Sequence, residues 1–272
     1  MLRDVTFGQY YPSSSPVHRL DPRIKILLVI AYIVGIFLID SFLGYAITAV
    51  LVFGTILLSR VPLKSALKSV KTITFLILFT ALLNLFFYGG PVENWEVKWW
   101  IFHIKDSAVF FALKMALRLF FLVLGTSLLT LTTTPIELTD GIESLLSPLK
   151  VIRFSVHDVA MIMSIALRFI PTLMEETDKI MMAQKSRGAD FDSGKLFARA
   201  RALIPVLIPL IVSAFRRADE LAYAMDSRCY NATKNRTRRK VLKVRAGDVA
   251  SVIVVAAYVA LVVLTNGVLF VV

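Results

Sequence analysis

Charge is scarce in this chain: Asp, Glu, Lys and Arg make up 18% of its 272 residues, and the acids are the rarer kind, 19 against 31 bases. With 57% hydrophobic residues and a mean hydropathy of +0.73, that composition excludes a soluble globular domain and implies an integral membrane protein. Cysteine occurs once, at Cys229, which excludes a disulfide framework, a Cys-rich zinc site and an iron–sulfur cluster. His18, His103 and His157 are far apart along the chain and have no neighbouring nucleophile, so neither a catalytic arrangement nor a metal or other cofactor is expected. A nucleotide-binding loop is also lacking. The nearest approach, Gly188 to Leu196, has five residues between its glycines and Leu196 where Ser or Thr must follow the lysine, so it reads as a turn between helices. No small-residue cleavage site follows the first apolar run, which Pro12, Pro16 and Pro22 precede, so that run is expected to remain in the mature protein.

Long apolar runs are what the sequence has in quantity. A bilayer core needs about 20 apolar residues in a helix. Five runs approach that length: Ile24 to Ile39, Phe42 to Leu58, Ile73 to Tyr88, Ser107 to Leu131 and Val249 to Val272. Asp40 and Ser41 make the first two a tight hairpin. Lys114 and Arg118 interrupt the fourth run at a four-residue spacing, which puts both on one face, and charge at that depth reads as facing protein. The net charge of +12 is segregated. Nineteen of the 31 basic residues lie between Thr132 and Ala246, four between Arg3 and Lys25, and four more between Arg60 and Lys71. The Asp40 turn has none, and in the loop from Gly89 to Asp106 Lys98 and Lys105 are offset by Glu93, Glu96 and Asp106. Basic connections stay cytoplasmic, so the N-terminus is expected inside and the C-terminus outside, with five spans. Trp95, Trp99 and Trp100 in the outer loop suit an interfacial aromatic belt or a plain surface loop.

The basic block from Thr132 to Ala246 reads as a series of amphipathic helices. Thr134, Pro135 and Glu137 form a helix start with Pro at the first position and an acid in the first turn, and Pro148 ends that helix. Apolar residues then recur at helical spacing from His157 to Lys185, around Arg168 and Pro171, with Glu175, Glu176, Asp178 and Lys179 in a wet second half. A second long pattern runs from Leu196 to Tyr230. Its apolar middle, Ala202 to Phe215, contains Pro205 and Pro209 and leaves open a sixth, kinked span. The seven basic residues from Lys234 to Arg245 precede the last run and read as an anchor on anionic lipid. Nucleic-acid binding is disfavoured, because no aromatic residue is interleaved after Tyr230. Asn231 and Asn235 each begin an Asn-x-Thr triplet, which the expected cytoplasmic side deprives of glycosylation.

Within this block two segments resemble each other. Ala183-Gln-Lys-Ser186-Arg187-Gly188 and Ala224-Met-Asp-Ser227-Arg228-Cys229 share the pattern Ala-x-x-Ser-Arg-small, 41 residues apart, each at the far end of an apolar pattern that turns acidic. An arginine between small residues presents a planar five-donor head that a partner's carboxylate can meet, so the pair suggests two equivalent docking points. Two ordinary cations favouring helix C-termini explain the spacing as well. Asp190 and Asp226 stand close to the arginines, to preorganise them or to cap a helix.

The chain resembles the transmembrane (T) components, EcfT, of energy-coupling factor transporters. The resemblance covers nearly its whole length. It rests on Leu20-Asp-Pro-Arg-Ile-Lys-Ile26, Thr132-Thr-Thr-Pro135, Leu167-Arg-Phe-Ile-Pro171, Ala183 to Phe191 and the second arginine motif. It implies an all-α integral membrane protein of about five transmembrane helices plus long cytoplasmic amphipathic coupling helices, divided as 1–131, 132–246 and 247–272. It implies that Ser186, Arg187, Gly188 and Ser227, Arg228, Cys229 dock two cytoplasmic ABC ATPase subunits, with Ala183, Asp190, Ala224 and Asp226 in support. Ser186 and the triplet Ser227-Arg228-Cys229 depart from the family's Ala-Arg-Gly pattern but retain small residues. A substrate-binding membrane S component is the implied further partner, in an ATP-driven importer of vitamins or micronutrients, either shared or dedicated to cobalt, nickel or biotin. Force transmission requires stiff helices, and the patterns from Val156 to Arg187 and from Leu196 to Arg228 contain no glycine. Gly35, Gly44 and Gly54 suit close helix packing. A membrane anchor or interaction protein without a transport role is the alternative from a different class, and it has no need of the arginine motif in duplicate.

Overall fold

The computed structural model describes residues 10–87, 96–99, 102–148, 156–189, 191, 196–230 and 244–269. In chain order these form α1 (Pro22–Phe37), α2 (Phe42–Ser59), α3 (Leu63–Phe87), a hairpin of β1 (Glu96–Trp99) and β2 (Phe102–Lys105), α4 (Asp106–Thr132), α5 (Pro135–Leu145), α6 (Val156–Ser186), α7 (Leu196–Ser227) and α8 (Ala246–Leu269). The fold is that of an all-α membrane protein. The one departure among the described residues is the antiparallel hairpin, with Glu96 opposite Lys105 and Trp99 opposite Phe102, in a segment the sequence reads as a loop. Trp95 and Trp100 of the expected aromatic belt lie outside the described residues.

Among the described residues five helices are long and apolar enough to cross a membrane, as expected in number but not in membership. They are α2, α3, α4, α6 and α8. The first apolar run becomes a helix of only 16 residues, about 24 Å long, whereas α6 has 31 residues and qualifies through its apolar first half. The segment weighed as a sixth span lies in α7, which runs 32 residues through Pro205 and Pro209 and is not among the five. α3 starts ten residues before the apolar run that announces it. Lys64, Lys68 and Lys71, at spacings of four and three, put a basic face on those extra turns.

By its contacts the chain divides into two compact units, Gly8–Phe154 with Leu242–Val272, and Ser155–Val241. In the first, α1 packs against α4, α8 and α5, while α2 packs against α4 and α8, and α3 lies along α4. Their shared core includes Tyr32, Ile36, Val52, Ile56, Leu124, Leu128, Tyr258 and Val262. Tyr32 donates its hydroxyl to the Phe121 carbonyl at 2.6 Å, tying α1 to α4. Thr48 donates to the Gly44 carbonyl at 2.8 Å, which leaves the Tyr258 hydroxyl to donate to Thr48 at 3.2 Å and join α8 to α2. Glycine makes two of these approaches possible: a Cβ on Gly35 would stand 2.6 Å from the Tyr258 ring, and one on Gly125 would overlap the Tyr32 ring. Gly44 likewise lies under Ile39, but Gly54 faces open space and serves no close packing.

The face of α4 that carries charge is turned to protein, as its spacing implied. Arg118 Nη2 donates to the Ile39 carbonyl at 2.8 Å and its guanidinium lies 5.9 Å from the Phe37 ring, so it satisfies an acceptor just past the end of α1. Lys114 sits 5.5 Å from the Phe42 ring at the start of α2. Together they clamp the α1–α2 turn.

At the other end of the bundle a buried polar layer joins four chain segments. Asp21 caps α1 by accepting the Arg23 N–H at 3.0 Å, with Pro22 at the first helical position. The Asp21 N–H donates to Asp248 Oδ1 at 2.8 Å, and Asp248 Oδ2 accepts the Arg245 N–H at 2.7 Å. Asp248 is 1% exposed, so its carboxylate holds the start of α8 to the start of α1 in a place water does not reach. Lys25 spends its three N–H groups on the His18 carbonyl, the Thr132 carbonyl and the Thr133 hydroxyl, at 3.2, 3.0 and 3.2 Å. The helix start read at Thr134 is a complete capping box: its hydroxyl accepts the Glu137 N–H at 3.3 Å, and Glu137 accepts the Thr134 N–H at 3.4 Å.

Candidate functional site

In the second unit, α6 and α7 pack on each other. Both have an apolar face and a polar one, and the polar faces meet at a salt bridge in which Arg217 Nη2 lies 2.9 Å from Glu176 Oε2. Glu176 and Arg217 are 41 residues apart, the same interval that separates the arginine motifs, so the bridge links equivalent positions of the two repeats. A second contact fixes the sense of the pair: the Tyr230 hydroxyl meets Met161 Sδ at 2.6 Å, so positions further along α7 meet positions earlier in α6. The helices therefore run antiparallel where they touch. Arg187 lies eleven residues beyond Glu176 and Arg228 eleven beyond Arg217, about 16 Å of helix in each case and in opposite directions.

The two motifs share one backbone geometry. Ser186 and Ser227 are the last helical residues, and Arg187 and Arg228 follow them as C-caps. Gly188 has φ of +87° and Cys229 of +52°, both left-handed. After Gly188, Ala189 N–H returns to the Gln184 carbonyl at 3.0 Å and Gly188 N–H to Lys185 at 3.0 Å; after Cys229, Tyr230 N–H returns to Met225 at 2.9 Å and Cys229 N–H to Asp226 at 2.9 Å. These are Schellman closures. The small third residue is thus demanded by the backbone, which turns left-handed there, in addition to clearing the space around the arginine. Ser186 and Ser227 donate back to the Met182 and Ala224 carbonyls, each at 3.1 Å, which satisfies their hydroxyls within the last turn.

All six motif residues are exposed, as are Ala183, Ala224 and Asp226, and Asp190 lies outside the described residues. Neither Arg187 nor Arg228 forms an ion pair among the described residues, and Asp226 does not reach Arg228. The geometry therefore offers, among the described residues, two guanidinium groups without an ion pair on matching helix ends. It can meet anionic groups of two partners, or of one partner twice. The sequence missed the Glu176–Arg217 bridge, although the 41-residue interval between an acid and a base in matched positions was there to be read.

The left-handed conformation at Cys229 suits glycine and strains any residue with a Cβ. Cys229→Gly is expected to stabilise the end of α7 by about 1 kcal/mol, seen as slower hydrogen exchange in the last turn of α7. Unchanged or faster exchange there contradicts the assignment.

Residues 13–239 match the family model described as "Cobalt transport protein", CbiQ. The chain is 51% identical over 249 residues to the energy-coupling factor transporter transmembrane protein EcfT of Ruminiclostridium cellulolyticum, covering 92% of both chains. It is 52% identical over 248 residues to EcfT of Clostridium kluyveri, covering 91% of this chain and 92% of that one. To EcfT of Bacillus subtilis it is 44% identical over 261 residues, covering 94% and 97%.

Proposed function

The chain belongs to the family of energy-coupling factor transporter transmembrane proteins, EcfT, and from that premise we propose that it couples two cytoplasmic ABC ATPase subunits to a substrate-binding membrane S component. It takes up vitamins or other micronutrients without catalysing a reaction of its own, ATP hydrolysis belonging to the partners. The observation that supports this reading best is the duplicated arginine cap. Arg187 and Arg228 end matched helices on opposite sides of the Glu176–Arg217 contact, each exposed and unpaired among the described residues. Two such points suit a pair of ATPase subunits. A membrane anchor has no use for two.

In this reading the protein lies in a bacterial or archaeal cell membrane, with its N-terminus and the basic block 132–246 in the cytoplasm and its C-terminus outside. α1 crosses with α2, α3, α4 and α8 despite its length, since Leu27, Ile30, Val34 and Phe37 on its outer side are all exposed and need lipid to cover them. α6, with Glu175, Glu176, Asp178, Lys179 and Lys185 in its second half, works with α7 as a coupling helix. Anionic lipid holds the basic run up to Arg245. Nucleic acid is no partner. The cobalt-transport description of the family model favours a second reading within the same role, a module dedicated to one substrate.

A pull-down of the tagged full chain in mild detergent, with mass spectrometry of what co-purifies, tests the proposal. Two ATPase subunits, or one in double amount, with several small membrane proteins are the expected catch. A single recurring membrane partner favours the dedicated module, and no ATPase at all overturns the coupling role.

A further inference from the structure

Inside the first unit, α1, α2, α4 and α8 enclose a cavity of about 390 Å³, within the size range of ligand sites. Its inner wall is Tyr32, Val52, Gly125 and Leu128, all apolar except for the tyrosine hydroxyl, which is already committed to the Phe121 carbonyl. At one end α2 and α8 are pinned by the Thr48–Tyr258 hydrogen bond, and towards the end of α2 and the start of α8 both helices line the cavity. There the lining passes to Leu58 and Val254, which are 63% and 55% exposed. Both helices are long and apolar enough to span, so the mouth opens sideways onto hydrocarbon rather than onto water. A dry apolar space that opens to acyl chains is filled by one.

The rim decides what kind of molecule that chain belongs to. Arg60 is the C-cap of α2, two residues past the lining residue Leu58, and Arg245 stands two residues before the lining residue Gly247. Both are exposed, and neither forms an ion pair among the described residues. Asp21 and Asp248, the acids that tie the starts of α1 and α8 together, are buried and committed to backbone N–H groups. Lys25 lines the cavity too, but its three protons are taken by three acceptors, so the charge open to a headgroup is at the rim and not inside.

We propose that this cavity binds one anionic phospholipid, an acyl chain between α2 and α8 and the phosphate on Arg60 and Arg245. The site is separate from the arginine caps of α6 and α7 and does not depend on the coupling role. Native mass spectrometry of the full chain tests it, with phosphatidylglycerol and phosphatidylcholine of identical acyl chains titrated in mild detergent. Phosphatidylglycerol is expected to bind about tenfold more tightly in a one-to-one complex, a preference that the double variant Arg60→Asn/Arg245→Ala abolishes while phosphatidylcholine binding is unchanged. Asn is chosen because Arg60 has φ of +55°. Ser251→Phe, whose ring fills the space, lowers binding of both lipids. The basic residues from Lys234 to Lys243 remain in every variant, so their general attraction to anionic lipid persists as further, weaker binding, and the preference is read on the first lipid bound. Equal affinity for the two lipids, or a preference that survives the double variant, overturns the proposal, and these two results are read at exposed positions even where Ser251→Phe does not fold.

Discussion

Reversing the charge at Arg187 or Arg228 is expected to cut substrate uptake by at least about tenfold and to strip an ATPase from the purified complex, and reversing both to abolish each. Breaking a hydrogen-bonded charge pair buried at an interface costs on the order of 2–5 kcal/mol, which is ample for that effect. The chain itself should tolerate the change. Both side chains are exposed and unpaired among the described residues, and their helices end through backbone hydrogen bonds that do not involve the guanidinium. A carboxylate at a helix C-terminus opposes the macrodipole by only about 0.3–1 kcal/mol, too little to unwind helices of 31 and 32 residues. Membrane insertion and yield should therefore match wild type. Arg187→Lys retains the charge but not the planar fork and should fall between. Uptake at the wild-type rate in both single variants and the double variant would sink the docking role.

The second large effect is expected at Asp248, a residue that carries no function in this reading. Asp248→Ala removes the acceptors of two N–H groups, those of Asp21 and Arg245, in a place 1% exposed. Each orphaned donor costs about 1–3 kcal/mol, so the loss is about 2–6 kcal/mol, or about 4–24 °C in the melting of a chain of this size. Asp248→Asn keeps one acceptor oxygen and should lose less. Thermal unfolding of the detergent-solubilised protein measures it, and an alanine variant that melts with the wild type would mean that the carboxylate does not hold α8 to α1.

Several of these features could be read from residue order alone. The apolar runs located α1, α2, α4 and α8 because a spanning helix is announced by length, and the capping box at Thr134 was legible because all its parts lie within four residues. Lys114 and Arg118 showed their protein-facing side through a spacing of four. Asp248 was not legible: its partner is Asp21, 227 residues away, and an acid in the first turn of a helix has many ordinary uses. The left-handed turn at Cys229 was hidden by its residue type, since the pattern showed a small side chain and not the backbone angle that asks for one. Gly125 was passed over among membrane glycines, although the Tyr32 ring covers it even more closely than the Tyr258 ring covers Gly35. α6 was read only as an amphipathic helix, although it is also long and apolar enough to span, because its apolar half and its charged half lie in a single helix and averaging over the whole pattern conceals the first.

The equal distances from Glu176 to Arg187 and from Arg217 to Arg228 have a mechanical meaning. In the proposed coupling role the ion pair would be the fulcrum of two levers of the same length, pointing opposite ways. Turning either helix by about 10° about that point carries its arginine through about 3 Å, given an arm of about 16 Å, and equal arms give equal throws. Two identical or near-identical partners that approach one another thus do the same work on each lever, and neither side arrives first.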